Sequence, residues 1–205
     1  VIAAKPARTT AVVLCGGGGT RLGGTDKPLR DCAGKLLIAR VLDRVAPQVA
    51  HIIISANRNL DRYQSFAPTI VDDAAFESCG PLAGLLAGLD AAITDDVLCV
   101  PGDAPLLPQD LLQRLTQART QSSGAALAFA HDSRGPQPLC CLLQRKLRDD
   151  LRAYLHGGGR TPREWSQRHR SAVADFSDAP DWVWSINTEP QWLVVEQQLK
   201  TMQRA

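Results

Sequence analysis

Short runs of consecutive apolar residues alternate along this chain with segments of helical periodicity. Residues 11–14, 51–55, 69–71 and 97–100 carry runs of successive apolar positions, broken only at the ends by His51, Ser55 and Thr69. That pattern predicts strands buried on both faces, as parallel strands are. Between them, residues 36–45, 59–66 and 82–93 have the length and spacing of crossover helices, which makes the repeat a βαβ one. Residues 125–129 and 139–143 predict two more strands joined by the turn Ser133-Arg134-Gly135-Pro136. A helix is expected to begin near Pro108 and Gln109. Residues 145–156 predict another, ending at Gly157-Gly158-Gly159 with a glycine in the left-handed conformation. The last helix spans 189–203, with Thr188 able to cap it and Pro190 in its first turn. The class is α/β, a mostly parallel central sheet flanked by helices.

In open α/β sheets, ligands bind beyond the carboxyl ends of the strands. Here the first strand runs into residues 14–27, which hold six glycines, Arg21 and Lys27. The second ends in Ser55-Ala56-Asn57-Arg58, the third in Asp72-Asp73, and the fourth in Pro101-Gly102-Asp103-Ala104-Pro105. Bare N–H groups in a glycine-rich loop, with two cations in reach, form a cradle for anionic oxygens. The bland alternative is a flexible strand-to-helix turn. Two familiar phosphate loops are excluded by spacing. Gly34-Lys35 is followed by Leu36 rather than Ser or Thr, and a Gly-x-Gly-x-x-Gly register from Gly16 or Gly17 ends on Arg21 or Leu22.

At 205 residues the chain is expected to form a leader at 1–9 and one domain over 10–205. Its 44% hydrophobic and 21% charged residues suit an ordinary globule, and no apolar run approaches the ~20 residues of a membrane span. Six cysteines form no Cys-x-x-Cys pair, so buried free thiols in a reducing, cytoplasmic setting are expected. The four histidines lack zinc spacing and are expected on the surface or in loops. A net charge of +2 does not suggest a nucleic-acid binder. Residues 142–170, however, carry eight Lys and Arg against three acids. That block reads either as an exposed helical face or as a second anion site.

Asp103, stiffened by Pro101 and Pro105 beside a phosphate loop, suits Mg²⁺, which binds one or two carboxylates together with phosphate oxygens. The competing reading is a helix cap. Asn187 is a second metal-site candidate or an Asn turn before the last helix. Lys27 and Arg21 would neutralise a triphosphate and the charge that builds as pyrophosphate departs. Neither a Ser-His-Asp set nor a helical His pair is visible in the sequence. The chemistry that fits is in-line attack of an anion on the α-phosphate of a nucleoside triphosphate.

The run from Leu14 to Lys27 resembles the signature of molybdenum-cofactor guanylyltransferases. The resemblance continues in order through Ser55-Ala56-Asn57-Arg58, Asp72-Asp73, Gly80-Pro81-Leu82-Ala83-Gly84, the Asp103 loop and Ile186-Asn187-Thr188. It implies a Rossmann-like nucleotidyltransferase fold of the nucleotide-diphospho-sugar transferase type, and transfer of GMP from GTP to molybdopterin with Mg²⁺. Leu14, Cys15, Gly16 and Gly17 would meet the nucleotide through backbone groups, with Gly80, Pro81 and Leu82 on the other side of the base. Lys27 and Arg21 would hold phosphates, and Ser55, Asn57 and Asp73 would contact nucleotide. Asp103 would bind the metal, supported by Asn187. Arg160 and Arg163, with Asn187, would receive molybdopterin. Transient contact with cofactor-donor proteins and target apo-enzymes is also implied.

Leu-Cys-Gly-Gly in place of the Ala-Ala-Gly of cytidylyl relatives implies guanine. The chain departs from the pattern at Ser55, where Asn is frequent, at Pro28, where Gly is usual, and at Gly102, where Cys is common. The last is expected to be harmless. Leu36-Leu37 replaces Pro-Leu, and Glu189-Pro190 reverses Pro-Glu. The competing functions are a cytidylyl- or sugar-1-phosphate nucleotidyltransferase and a non-catalytic nucleotide-binding module.

Overall fold

The computed structural model describes residues 7–16, 26–76, 79–178 and 185–204. Gly17 and Arg21, the middle of the glycine loop and residues 1–6 of the expected leader lie outside the described residues; residues 7–9, also expected in a disordered leader, instead pair within the first strand. Nine strands and seven helices are built from the rest. They are β1 (Ala7–Leu14), β2 (Asp31–Cys32), β3 (Lys35–Leu36), α1 (Leu37–Val45), β4 (Val49–Ser55), α2 (Leu60–Gln64), β5 (Thr69–Ile70), α3 (Pro81–Ala91), β6 (Asp96–Pro101), α4 (Leu111–Gln121), β7 (Leu127–Asp132), β8 (Gly135–Gln144), α5 (Arg148–His156), α6 (Pro162–Gln167), β9 (Ser171–Asp175) and α7 (Glu189–Arg204). Seven strands form one sheet in the order β5-β4-β1-β6-β8-β7-β9. Only β8 runs antiparallel to its neighbours in that sheet. β2 and β3 make a separate two-stranded hairpin.

Period-two alternation divides the core between the two faces of the sheet. Ala11 and Val13 of β1, Leu98 and Val100 of β6, and Cys140 and Leu142 of β8 pack with Ile38, Val41 and Val45 of α1 and Leu111, Leu112 and Leu115 of α4. The intervening Val12, Val97, Cys99, Cys141 and Leu143 pack with Leu82, Leu85, Leu86 and Leu89 of α3 and Leu151 and Leu155 of α5. The α3 layer sits unusually close. A Cβ on Gly88 would lie 2.5 Å from both methyls of Val12, so only a residue without Cβ allows this approach. A third cluster joins Cys32, Ala33 and Leu37 to Trp192, Val195 and Leu199, docking α7 on the hairpin.

All six cysteines are free and buried, as expected. The chain moves from β1 outward to β4 and β5, then returns to place β6 on the other side of β1. The sheet therefore has its topological switch between β1 and β6, where a crevice opens beyond the strand ends.

Several boundaries differ from the sequence pattern. β7 and β8 meet at Ser133 and Arg134, and Gly135 and Pro136 pair within the ladder. Pro136 and Pro138 are tolerated because β6 pairs with β8 only along residues 141–144. The helix expected over 145–156 opens with a 3-10 turn at Arg145–Leu147. At its end Gly157 has φ −73°, and the positive φ falls on Gly158. α6 and β9 carried too short an apolar signal to be recognised. The histidines are not all peripheral. His51 and His156 are exposed as expected, whereas His131 is half-buried on β7 and the His169 side chain is 14% exposed, with Nε2 3.0 Å from Asp150.

Candidate active site

The ends of β1 and β6 are tied together by backbone before any side chain acts. Gly102 N–H donates to the Leu14 carbonyl at 2.8 Å, and Cys15 N–H donates to the Ser55 carbonyl at 2.8 Å. Three strand ends thus share one floor. Leu14 C=O and Cys15 N–H, both expected to meet nucleotide, are already engaged in holding that floor together.

Two polar groups stand on the floor. In the first, Lys27 Nζ donates to Asp103 Oδ2 at 2.7 Å and to Asn187 Oδ1 at 3.4 Å. Lys27 and Asp103 are 76 positions apart in the chain, and Asn187 is a further 84 along. The pair is mostly enclosed, with side chains 19% and 17% exposed. Burial raises the Asp103 carboxyl above its ordinary value, opposed by the charge and hydrogen bond of Lys27. Asp103 caps no helix, because α4 begins at Leu111 and Asp110 occupies its N-cap.

Asn187 is delivered by the start of α7, where a reciprocal cap fixes the backbone. Gln191 Oε1 accepts from Asn187 N–H at 2.7 Å and Thr188 N–H at 3.1 Å, while Gln191 N–H donates to Thr188 Oγ1 at 3.4 Å. Asp103 carboxylate and Asn187 amide oxygens are hard ligands. Among the described residues no three His, Cys, Asp or Glu side chains converge for a metal. A cation here would take the balance of its shell from phosphate and water, which is how Mg²⁺ binds nucleotides.

The second group lies over β4. Ser55 Oγ donates to Asp72 Oδ1 at 3.2 Å, Asn57 Nδ2 to Asp72 Oδ2 at 2.9 Å, and Asp72 N–H to Asn57 Oδ1 at 3.0 Å. The first turn of α3 closes against them. Gly80 holds φ +69° and ψ −153° as its N-cap, a conformation that needs glycine. A Cβ on Gly84 would lie 2.5 Å from Ser55 Oγ, 3.2 Å from Leu14 Cδ2 and 3.3 Å from Asp72 Oδ1. Leu14, Ser55 and Asp72 therefore close on Gly84 of α3, and Gly16 lies beside Asn57 in the same group. Asp73 stands at its edge, exposed, with Oδ1 accepting from Ala75 N–H at 2.9 Å. The residue that organises Ser55 and Asn57 is Asp72, which sequence reasoning passed over in favour of Asp73.

Comparison with known proteins places the chain in a family. Residues 11–173 match the model of the MobA-like NTP transferase domain. The chain belongs to the MobA-like NTP transferase family. It is 41% identical over 184 residues to a protein of Shewanella woodyi named molybdenum cofactor guanylyltransferase, covering 90% of this chain and 93% of that one. It is 42% identical over 184 residues to a protein of the same name from Cupriavidus pinatubonensis, covering 87% and 92%. Among solved structures, molybdopterin-guanine dinucleotide biosynthesis protein A of Archaeoglobus fulgidus superposes with a TM-score of 0.76 at 20% identity, covering 94% of this chain and all of that one. That likeness bears on the fold.

Within this MobA-like frame the basic block behaves differently from a uniform anion patch. Arg152 pairs with Asp90 at 2.7 Å, and Arg148 reaches Asp90 and Asp149 at 3.6 and 3.1 Å. Asp150 gathers Arg168, His169 and the Trp165 indole N–H. Acids from α3 and α5 thus neutralise one flank, and the exposed-helix reading holds there. Arg160 Nη1 donates to the Leu155 and Gly159 carbonyls at 3.0 and 2.6 Å, bracing the turn after α5. Arg163 is exposed in the first turn of α6. None of the contacts among the described residues joins either arginine to the Lys27 group.

Gly102 is closely fitted where Cys is common. Its Cβ position lies 2.5 Å from Cys15 Sγ and 3.5 Å from Pro28 Cγ. Cys15, Pro28 and Gly102 thus fill one space. Pro28 itself suits its place in the 3-10 turn Lys27–Leu29, where a first-turn N–H has no helical partner.

Proposed function

We propose that this chain transfers GMP from GTP to the molybdenum-molybdopterin cofactor, forming molybdopterin guanine dinucleotide and pyrophosphate, with Mg²⁺. The observation that carries the reading is the meeting of Lys27, Asp103 and Asn187 at the switch between β1 and β6. Pure nucleotide binding does not require a lysine and a carboxylate locked together there. A terminal phosphate oxygen of molybdopterin attacks the α-phosphorus of GTP and forms the new P–O bond. The bond from the α-phosphorus to the bridging oxygen breaks, and pyrophosphate leaves with the electron pair. The attacking phosphate is already an anion, so no general base is needed.

Lys27, with its ammonium aimed before substrate arrives, opposes the charge that develops on the departing pyrophosphate. Arg21 of the glycine loop adds a second cation, and Gly17 lends a backbone N–H to the phosphates. Mg²⁺ held by Asp103, with Asn187 beside it, supplies further neutralisation of phosphate charge when bound. The Ser55, Asn57 and Gly80-Pro81-Leu82 group takes guanine and ribose, with Asp73 at its edge. The N-terminal part of the single domain over 10–205 is the GTP half. The C-terminal part, through Arg160, Arg163 and Asn187, receives molybdopterin.

No helix among the described residues is long and apolar enough to cross a membrane. In this reading the reaction is cytoplasmic, and donor proteins and recipient apo-enzymes make transient contact. A nucleotide-dependent thermal shift tests the base. A ligand at 100 times its Kd adds about 2.7 kcal/mol, or roughly 5–11 °C for a chain of this size. GTP with Mg²⁺ is expected to give that shift and CTP a much smaller one. An equal or larger shift with CTP overturns the guanine assignment.

A further inference from the structure

One buried carboxylate close to the site takes no part in the transfer just described. Asp26 is 7% exposed, and it is fully enclosed by donors. Tyr63 Oη–H donates to Oδ1 at 2.9 Å and Asn59 Nδ2 to Oδ2 at 2.8 Å. Arg58 Nε, a buried group with no hydrogen-bond partner among the described residues, lies 3.5 Å from the same Oδ2 as an ion pair. Three residues of one short segment converge on a carboxylate more than thirty positions earlier in the chain.

That segment is built for this contact. Asn59 adopts φ +52° and ψ +36°, a left-handed conformation that Asn tolerates better than most residues. It turns the chain into α2, a helix of five residues whose one fully buried side chain is Tyr63. Burial, with Cys15 and Asp26 beside it, pushes the Tyr63 hydroxyl up, so it stays a donor. Burial and the Asp26 charge likewise keep the Cys15 thiol protonated against Tyr63. The clamp therefore also touches the end of β1.

Its other consequence runs through the backbone. Asp26 C=O accepts from Leu29 N–H at 3.0 Å and Lys27 C=O from Arg30 N–H at 3.0 Å. Pro28 stiffens this 3-10 turn further. Fixing Asp26 fixes the turn, and the turn carries Lys27.

We propose that Asp26, clamped by Tyr63, Asn59 and Arg58, is a positioning residue that aims the Lys27 ammonium at the transferring phosphates. The proposal rests on the guanylyl-transfer reading of Lys27. Asp26→Asn leaves Tyr63 its acceptor but sets one amide against another at Asn59. Asn59→Asp in that background restores a donor and an acceptor with the polarity reversed, and Arg58 keeps a nearby carboxylate.

In GTP- and molybdopterin-dependent pyrophosphate release, D26N is expected to lower kcat at least tenfold while KM for GTP moves less than threefold. D26N/N59D is expected to recover most of the kcat. Tyr63→Phe, which creates no donor clash, is expected to lose several-fold in kcat with an unchanged circular dichroism spectrum. It keeps the test open if D26N folds poorly.

A second readout does not depend on turnover. Reductive ¹³C-methylation labels the five lysines of the chain, and the Lys27 signal is assigned by its loss in Lys27→Arg. That signal is expected to shift in D26N and to return in D26N/N59D. A D26N enzyme with kcat within twofold of the parent, a loss that N59D leaves unrepaired, or an unmoved Lys27 signal overturns the proposal. A parent enzyme that releases no pyrophosphate, but whose Lys27 signal follows the clamp, leaves the positioning intact and removes the guanylyl-transfer reading instead.

Discussion

Gly102→Ala probes how tightly the nucleotide floor is packed. The added methyl would stand 2.5 Å from Cys15 Sγ, 3.1 Å from the Leu14 carbonyl oxygen and 3.5 Å from Pro28 Cγ. Cys15 is 4% exposed and lies against the Tyr63 hydroxyl, so the thiol has no solvent to move into. Overpacking of this kind costs about 1–3 kcal/mol. The loss of glycine freedom in the unfolded chain returns about 0.4–1 kcal/mol, because φ at Gly102 is not positive. The net loss is then centred at about 1.3 kcal/mol and reaches at most about 2.6 kcal/mol, which lowers Tm by roughly 3–5 °C and at most about 10 °C at this chain length.

Urea and thermal denaturation of four proteins measure it: parent, C15A, G102A and C15A/G102A. Removing Cys15 Sγ opens the space, so G102A is expected to cost little or nothing in the C15A background. The coupling should fall within the range of about 0.5–3 kcal/mol seen for residues in contact. An identical G102A cost in both backgrounds would show that Cys15 does not dictate glycine here. Gly102→Cys is expected to follow the same rule with a larger penalty.

Lys27→Ala is expected to cost about 10²–10³ in kcat, as for removal of one preorganised donor; a change confined to the apparent affinity for GTP would make Lys27 a binding residue alone. Asp103→Asn is expected to nearly abolish pyrophosphate release with the circular dichroism spectrum unchanged, and a normal rate would remove the metal assignment. Because burial raises Asp103 above its ordinary 3.8, the folded protein binds this proton more tightly than the unfolded chain. Its ionisation therefore lowers stability as pH rises above 3.8 through the folded value. Without Mg²⁺, D103N should flatten that part of the stability–pH curve; an unaltered curve in D103N would contradict this. Gln191→Ala removes the acceptor of Asn187 N–H and Thr188 N–H. It should cost about 1 kcal/mol in urea denaturation and lower kcat more than KM, whereas unchanged kcat would uncouple Asn187 from the chemistry.

The strands that carry the site were legible because burial on both faces leaves a continuous apolar run in β1, β4 and β6. Their carboxyl ends could be read directly as the rim, and Lys27, Asp103 and Asn187 do meet there. What stayed hidden depends on partners distant in the chain. No local pattern assigns Asp72 to Ser55 and Asn57, or places Asp26 in the grip of Tyr63. The charge block over 142–170 looked one-signed because one neutralising acid, Asp90, arrives from α3, 58 positions before Arg148. The demand for glycine at 102 was hidden because it comes from the side chain of Cys15, visible only once β1 and β6 are adjacent. β9 alternates buried and exposed positions over five residues, too few to separate from loop.

Pyrophosphate release with Mg²⁺ and molybdopterin, compared between GTP, CTP and ATP, tests the central claim most directly. The account predicts release with GTP that requires the pterin, with CTP and ATP near background. Release from CTP at a matching rate, or from GTP without the pterin, would contradict it.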